Sequence, residues 1–302
     1  VYTGTVIAAH GRHYLVRHKN QNYQCVTRGK KSDVAVGDIV HFGKTATTQG
    51  VIESITERTT LLYRSDQYKS KLLAANVSQL FIVAATEPSF SDDLISRALI
   101  AAHAAQVPAH IILNKIDLTE LNAKAEERLH IYEQLGYPIH RVSSITNPLA
   151  HKTYLLQLLD QHTTLVIGQS GMGKSSLINL LIPDAEIAIR EISTALDTGK
   201  HTTTFTRSYQ INEHTHIIDS PGFQEFGLHH LTEGMLERAF LEFVPYLGQC
   251  KFYNCHHLNE PGCAILNQVQ QGTILATRHA LYQQLVHESA QKPLPKTKTL
   301  KK

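Results

Sequence analysis

Gly168-Gln169-Ser170-Gly171-Met172-Gly173-Lys174-Ser175 has the spacing G-x-x-x-x-G-K-S, the pattern of a phosphate-binding loop. Its flanks agree. Thr163-Thr164-Leu165-Val166-Ile167 is apolar and β-branched, as a buried strand is, and Ser176-Leu177-Ile178-Asn179-Leu180-Leu181 reads as a helix. Glycines let such a loop curl with its N–H groups turned inward, and the helix N-terminus adds its dipole. The expected cradle is Gly168, Gln169, Ser170, Gly171, Met172, Gly173, Lys174, Ser175 and Ser176. Lys174 would reach the β and γ phosphates, and Ser175 would place its hydroxyl on Mg2+. The competing reading is a Gly-rich turn without a ligand.

Asn114-Lys115-Ile116-Asp117 follows the apolar run Val107 to Leu113. N-K-x-D at the end of a strand reads guanine: the Asp117 carboxylate accepts from N1–H and the 2-amino group, a donor pair that adenine lacks. The weaker Val142-Ser143-Ser144 would back the ring with Ser143 and Ser144. Asp219-Ser220-Pro221-Gly222 ends the run His216-Ile217-Ile218. Its D-x-x-G pattern places Asp219 toward the Mg2+ shell and the Gly222 N–H toward the γ-phosphate. Gly199-Lys200-His201-Thr202-Thr203-Thr204 suits a mobile switch, with Thr203 favoured as its Mg2+ ligand.

The order of these pieces is permuted. In ordinary GTPases the phosphate loop comes first; here N-K-x-D and the Ser loop precede it. A doubly wound sheet tolerates this, because it assembles from contacts and not from chain order. With G-K-H-T-T-T at 199–204, D-S-P-G-F at 219–223 and the cysteine cluster described below, the chain resembles the ribosome small-subunit-dependent GTPase A family, the permuted GTPases called RsgA, YjeQ or YloQ. The resemblance covers essentially the whole chain.

At 302 residues, with 42% apolar and 18% charged residues, the chain suits two or three globular domains. No run approaches the ~18–20 apolar residues of a membrane span. The chain begins at Val1 and not at Met, so N-terminal residues are expected to be missing. The net charge is +3, yet Gln291 to Lys302 hold five lysines and no acid, so the basicity is local. The four cysteines do not suggest a disulfide scaffold, which makes a cytoplasmic protein the expectation.

Residues 1–65 read as five short strands with turns between them. An OB-type barrel is expected, with an SH3-like barrel as runner-up. Up to Arg58 there are eight Lys or Arg against four acids. That surface, with Tyr14 or Tyr23 exposed as a base platform, would suit RNA; a plain solvated surface is the alternative. Cys25 is expected in the core. The resemblance implies an OB-fold that touches 16S ribosomal RNA, and Arg28, Lys30 and Lys31 are the residues singled out for it.

Residues 66–228 alternate strand and helix, as a parallel sheet requires. The expected helices include one opened by Asp92-Asp93, with Leu94, Ile95, Ala98, Leu99 and Ala102 facing inward, and one near 123–135. Many GTPases place a water-orienting Gln directly after D-x-x-G. Here Phe223 stands there, and His201 is the substitute proposed from its place beside the switch threonines. Slow intrinsic turnover is therefore expected, made faster by a partner that orders the switch.

Residues 229–302 read as a helix from Leu231 to Leu247, a cysteine cluster, and a helix from Ala264 to about Glu288 that Gly272 breaks. Cys250, Cys255, His257 and Cys263 have the spacing C-x4-C-x-H-x5-C, which suits one closed structural Zn2+. Spacing alone leaves His256 as an alternative to His257, and buried metal-free thiols as an alternative to a site; the family resemblance implies 250, 255, 257 and 263. Lys251, His256, Arg278 and His279 are further RNA candidates, and the lysine-rich tail is expected to face RNA.

The expected fold class is thus α/β: a circularly permuted P-loop GTPase domain with an N-terminal OB-fold β-barrel and a C-terminal helical zinc-binding domain. The expected ligands are GTP/GDP, Mg2+ and one structural Zn2+. The resemblance implies a monomeric GTP hydrolase that binds the 30S ribosomal subunit and 16S rRNA in late maturation, is stimulated by 30S, and leaves on hydrolysis, with no membrane partner. The rivals are a nucleotide-gated RNA-binding protein with little turnover and a GTPase with a non-ribosomal partner.

Overall fold

The computed structural model describes residues 1–29, 33–66, 68–185, 192, 196 and 205–291. The first five strands are β1 (Tyr2–His10), β2 (His13–His18), β3 (Gln21–Thr27), β4 (Ile39–Ala46) and β5 (Gln49–Ile55). They run in the order β1-β2-β3-β5-β4, and β4 returns to pair with β1. Only β3 and β5 are parallel. This closed circuit is the OB type, not the SH3-like one.

Tyr14 and Tyr23 do not stand on the barrel's surface. They are only 3% and 1% exposed. Alternate residues of a strand share a face, so Tyr14 goes in with Val16 and Tyr23 with Cys25. The Tyr23 ring lies 5.2 Å from Phe42, and its hydroxyl donates to Gln21 Oε1. Cys25 is in the core as expected, where burial pushes its thiol up to about 11. A hairpin of β6 (Leu61–Ser65) and β7 (Ser70–Ala75) then straddles residue 65.

The central sheet uses β8 (Gln79–Ala85), β9 (Ala109–Asn114), β10 (Ile139–Arg141), β11 (Thr163–Gly168), β12 (Thr206–Asn212) and β13 (Thr215–Asp219). Its order is β10-β9-β8-β11-β13-β12, parallel except for β12. All of β8 is buried, as in a strand covered on both faces. The helices are α1 (Asp92–Ala104), α2 (Thr119–Gln134), α3 (Pro148–Leu159) and α4 (Lys174–Leu181). α1 begins where Ser91 Oγ accepts from the Leu94 N–H, with Asp92 and Asp93 favoured by the helix dipole.

The sheet does not end at β12. Ala8 and Ala9 of β1 pair with Arg207 and Thr206, so barrel and central sheet form one continuous eleven-stranded surface. Ile7, Ala8 and Leu15 of the barrel pack with Ile192, Leu196 and Phe205 at this seam.

The C-terminal part holds α5 (Glu233–Ala239), a 3-10 turn (Val244–Tyr246), α6 (Ala264–Gln270) and α7 (Ala276–Ala290). The helix expected over Leu231–Leu247 stops at Ala239, because Phe240 turns to extended backbone (φ −85°, ψ 95°). The break brings both Phe240 and Phe243 onto Tyr282, at 5.4 and 5.0 Å. Gly272, at φ +78°, separates α6 from α7 as expected. α7 is tied to α1: Arg97 donates to both Glu288 oxygens at 2.8 and 2.7 Å, and Arg278 donates to Ser96 Oγ at 2.9 Å. Arg278 and His279 are therefore buried and engaged, not available to RNA as expected: Arg278 also pairs with Glu242, and His279 Nε2 lies 2.7 Å from the His257 carbonyl. Among the described residues, no helix is long and apolar enough to cross a membrane.

Candidate nucleotide and metal sites

The phosphate loop connects β11 to α4, at the C-terminal ends of the parallel strands, where ligands of open α/β sheets bind. Gly173 has φ +81°, and a Cβ there would stand 2.3 Å from Asn114 Nδ2. Only glycine fits. The close approach exists because Asn114 Nδ2 donates to the Met172 carbonyl at 3.1 Å. Lys115 Nζ donates to the Gly171 carbonyl at 2.8 Å and to the Glu87 carbonyl at 2.7 Å. Two members of N-K-x-D thus hold the outer side of the loop, leaving its inner side to a ligand. Met172 is buried, and Ser175 and Ser176 lie exposed on the first turn of α4.

Gln169 does something its motif does not announce. Its Oε1 accepts from the Ser91 N–H at 2.7 Å, which fastens the loop to the start of α1. Ser143 is fully buried and donates to Asp117 Oδ1 at 2.5 Å. Ser143 Oγ in turn accepts from the N–H groups of Ile145 and Thr146, so its loop presents the carboxylate in one orientation. Ser144 is half-buried beside it. Asn114 Oδ1 is buried with no partner among the described residues. An orphaned acceptor at the mouth of the guanine motif fits a site completed by a ligand.

Asp219 is 1% exposed and receives two cations. Lys174 Nζ lies 2.8 Å from its Oδ1, and Arg207 donates to its Oδ2 at 3.0 Å. Lys174 and Arg207 are themselves 8% and 3% exposed. Two buried cations share one carboxylate, so the group carries an excess positive charge at the phosphate loop. In a low-dielectric setting such an excess recruits an anion. Gly222 brings D-x-x-G against the loop, where an added Cβ would stand 3.3 Å from the Ser170 nitrogen.

Phe223 cannot act on water. It is buried, packs edge-on against Phe226 at 5.3 Å, and lies under the Arg64 guanidinium. His201 and Thr203 lie outside the described residues, as do Lys30, Lys31 and the tail from 292 onward. Arg28 is described: it stands at the barrel surface, 3.8 Å from Glu53.

Cys250, Cys255, His257 and Cys263 converge. Their ligand atoms all lie within 4.8 Å of one another. Cys250 Sγ is 3.5 Å from His257 Nδ1 and 3.9 Å from Cys263 Sγ, and Cys263 Sγ is 3.4 Å from His257 Nδ1. A tetrahedron with Zn–S near ~2.3 Å and Zn–N near ~2.0 Å has edges of roughly 3.5–3.8 Å. The donor set and its spacing therefore fit a closed zinc site. His257 Nε2 faces Glu237 at 3.4 Å, the outer-shell carboxylate that fixes a ligating imidazole. His256 instead turns to the surface, with Nδ1 2.6 Å from Glu233, so His257 is the histidine of the cluster.

Arg207 and the Gln169–Ser91 contact were not apparent in the sequence. Arg207 belongs to no motif; its only signal is its place on the strand beside D-x-x-G.

Residues 55–229 match the family described as RsgA GTPase. The chain is 59% identical over 295 residues to the small ribosomal subunit biogenesis GTPase RsgA of Paraburkholderia xenovorans, covering 95% of this chain and 93% of that one. It is 60% identical over 291 residues to the protein of the same name from Paraburkholderia phymatum, at 95% and 92% coverage. Among solved structures, YjeQ from Thermotoga maritima superposes with a TM-score of 0.70 at 26% identity, over 97% of this chain and 99% of that one. YloQ, a circularly permuted GTPase, superposes with a TM-score of 0.67 at 26% identity, over 97% and 96%. A family match over more than half of the chain, and relatives about 60% identical over nearly all of it, place the chain in the RsgA GTPase family.

Proposed function

We propose that this chain is a Mg2+-dependent GTPase of small ribosomal subunit biogenesis, the role named for its relatives in Paraburkholderia. It would bind the 30S particle through 16S rRNA, as a monomer in the cytoplasm. The observation that carries the reading is the buried group of Lys174 and Arg207 around Asp219, set under a loop that N-K-x-D holds open. Three working parts follow, residues 1–65, 66–228 and 229–302, as RNA-binding barrel, switch and zinc-stapled domain.

The inward N–H groups of residues 168–175 and the Lys174 ammonium bind the phosphates and hold the charge that develops as water attacks in line. Asp117, oriented by Ser143, selects guanine. Asn114 and Lys115 keep the loop in shape. Ser175 and Thr203 are the residues that would hold Mg2+, with Asp219 in its shell; when bound, the ion would help neutralise the phosphate charge. Gly222 N–H is the donor to the γ-phosphate. His201 is assigned to orient water, since Phe223 is buried elsewhere. Arg28, Lys30 and Lys31 are assigned to RNA.

Sedimentation with purified subunits tests the partner. With a non-hydrolysable GTP analogue the protein should pellet with 30S and not with 50S, and with GDP it should stay in the supernatant. Equal pelleting with both subunits, or no effect of nucleotide, would contradict the reading.

A further inference from the structure

We propose that Arg207 is a positioning residue for Mg2+: it holds Asp219 by one oxygen so that the other is presented to the ion's shell. The proposal rests on the guanine-nucleotide reading above.

The two oxygens of Asp219 have different partners. Oδ1 faces Lys174, and Oδ2 faces Arg207. The two cations are not equivalent. Lys174 belongs to the phosphate loop, and its ammonium is the group that phosphate oxygens would claim. Arg207 belongs to β12, and its backbone is fixed on both sides. It pairs with Asp219 itself on β13 and with Ala8 of the barrel strand β1. Its guanidinium carbon stands 5.7 Å from the Phe205 ring centroid and 5.6 Å from that of Tyr209, the neighbours two residues away on the same face. Phe205 is in turn packed on Ile7, Ala8 and Leu15 of the barrel. The guanidinium is therefore held by two rings and two neighbouring strands, while Lys174 hangs on a flexible stem. When phosphate takes Lys174, the oxygen released is Oδ1, and Oδ2 remains pinned.

A purely structural role explains the residue poorly. Arg207 is 3% exposed, and its Nε–H is buried with no acceptor among the described residues. A buried charge costs stability, and an apolar side chain would fill the place at lower cost. Outer-shell partners of metal-binding carboxylates are where such a cost is met by function.

The test is the Mg2+ dependence of nucleotide binding by the full chain, read with a fluorescent, non-hydrolysable GTP analogue and with EDTA as the metal-free reference. Arg207→Gln should raise the Mg2+ concentration at half-maximal tight binding by roughly 10–100-fold. Its affinity in EDTA should also fall, because one positive charge leaves the group around Asp219, but by clearly less than its affinity in saturating Mg2+. Arg207→Lys keeps the charge but loses the guanidinium's rigid, planar geometry, and should shift the midpoint by an intermediate amount. An unchanged midpoint in Arg207→Gln, or an equal loss with and without Mg2+, overturns the proposal. If Arg207→Gln does not fold by circular dichroism, Arg207→Lys decides, and a shift below about twofold overturns it. If the unmutated protein shows no Mg2+-dependent binding at all, the nucleotide site itself is wrong and the proposal falls with it.

Discussion

The nucleotide cradle and the Cys3His knot are built in opposite ways. Around the cradle, the protein satisfies most of its own polar groups: Asn114 and Lys115 bind loop carbonyls, Gln169 binds the Ser91 N–H, and Ser143 binds Asp117. The fold makes the site, and the ligand completes it. In the knot, three sulfurs and one imidazole face one another with little secondary structure between α5 and α6 to hold them there. There a bound ion would add four bonds to a loop that otherwise rests on Glu260 and on contacts to α7. One region should therefore lose function without losing structure, and the other should lose structure first.

The largest expected effect is on chemistry. Lys174→Ala should lower GTP turnover by on the order of 10²–10³-fold, the cost of removing one preorganised charge-stabilising donor. Its melting temperature should stay near that of the unmutated protein, because the change also relieves the excess positive charge around Asp219. A collapse in stability would erase the contrast between the two regions. Next comes metal removal. Chelation, or Cys263→Ser, should cost the C-terminal part about 4–5 kcal/mol or more, seen as new proteolytic cuts after Leu231. GDP binding should survive it. Loss of GDP binding in step with zinc would mean that the two sites are one cooperative unit, with the Arg97–Glu288 pair between α1 and α7 as the obvious link.

Specificity is a smaller, sharper test. Asp117→Ala should reduce the preference for GTP over ATP by roughly 10²-fold or more, since a site built to accept from a donor pair loses both bonds. Competition binding with the two nucleotides reads this directly.

The smallest effect is in pH. Burial lowers His140 and His230 from the usual 6.5 to about 4. The unfolded chain then binds more protons than the folded one between these values, so stability falls as pH drops from 6.5 toward 4. His140 stacks on His110, with their ring nitrogens 2.9 Å apart, at the β10 edge of the sheet. His140→Asn should flatten part of the slope of melting temperature against pH in that window. An unchanged slope would show that the pair does not carry it.

Much of both regions was legible because ligand chemistry dictates residue type at fixed spacing. A phosphate loop needs Gly173 where Asn114 crowds it, and a zinc knot needs thiolates a few residues apart. The OB-type barrel was legible from short strands and turns. What escaped was orientation and long-range contact. Tyr14 or Tyr23 is expected outside although Cys25, two residues after Tyr23, is expected in the core; strand alternation alone puts Tyr23 and Cys25 on one face. Arg278 and His279 look like surface cations in a helix, and only the packing of α7 on α1 buries them. The Leu231–Leu247 helix breaks where three aromatic rings must meet, with Pro245 as the one local hint. The seam between β1 and β12 joins residues nearly two hundred positions apart through Ala8 and Ala9, which carry no pattern of their own.

A permuted GTPase site that answers to the small ribosomal subunit should show it in its turnover. GTP hydrolysis should be measured with the purified protein alone, with stoichiometric 30S subunits, and with 50S subunits. Turnover should be slow alone, strongly stimulated by 30S, and unchanged by 50S. Hydrolysis unmoved by 30S, or raised equally by 50S, would contradict this.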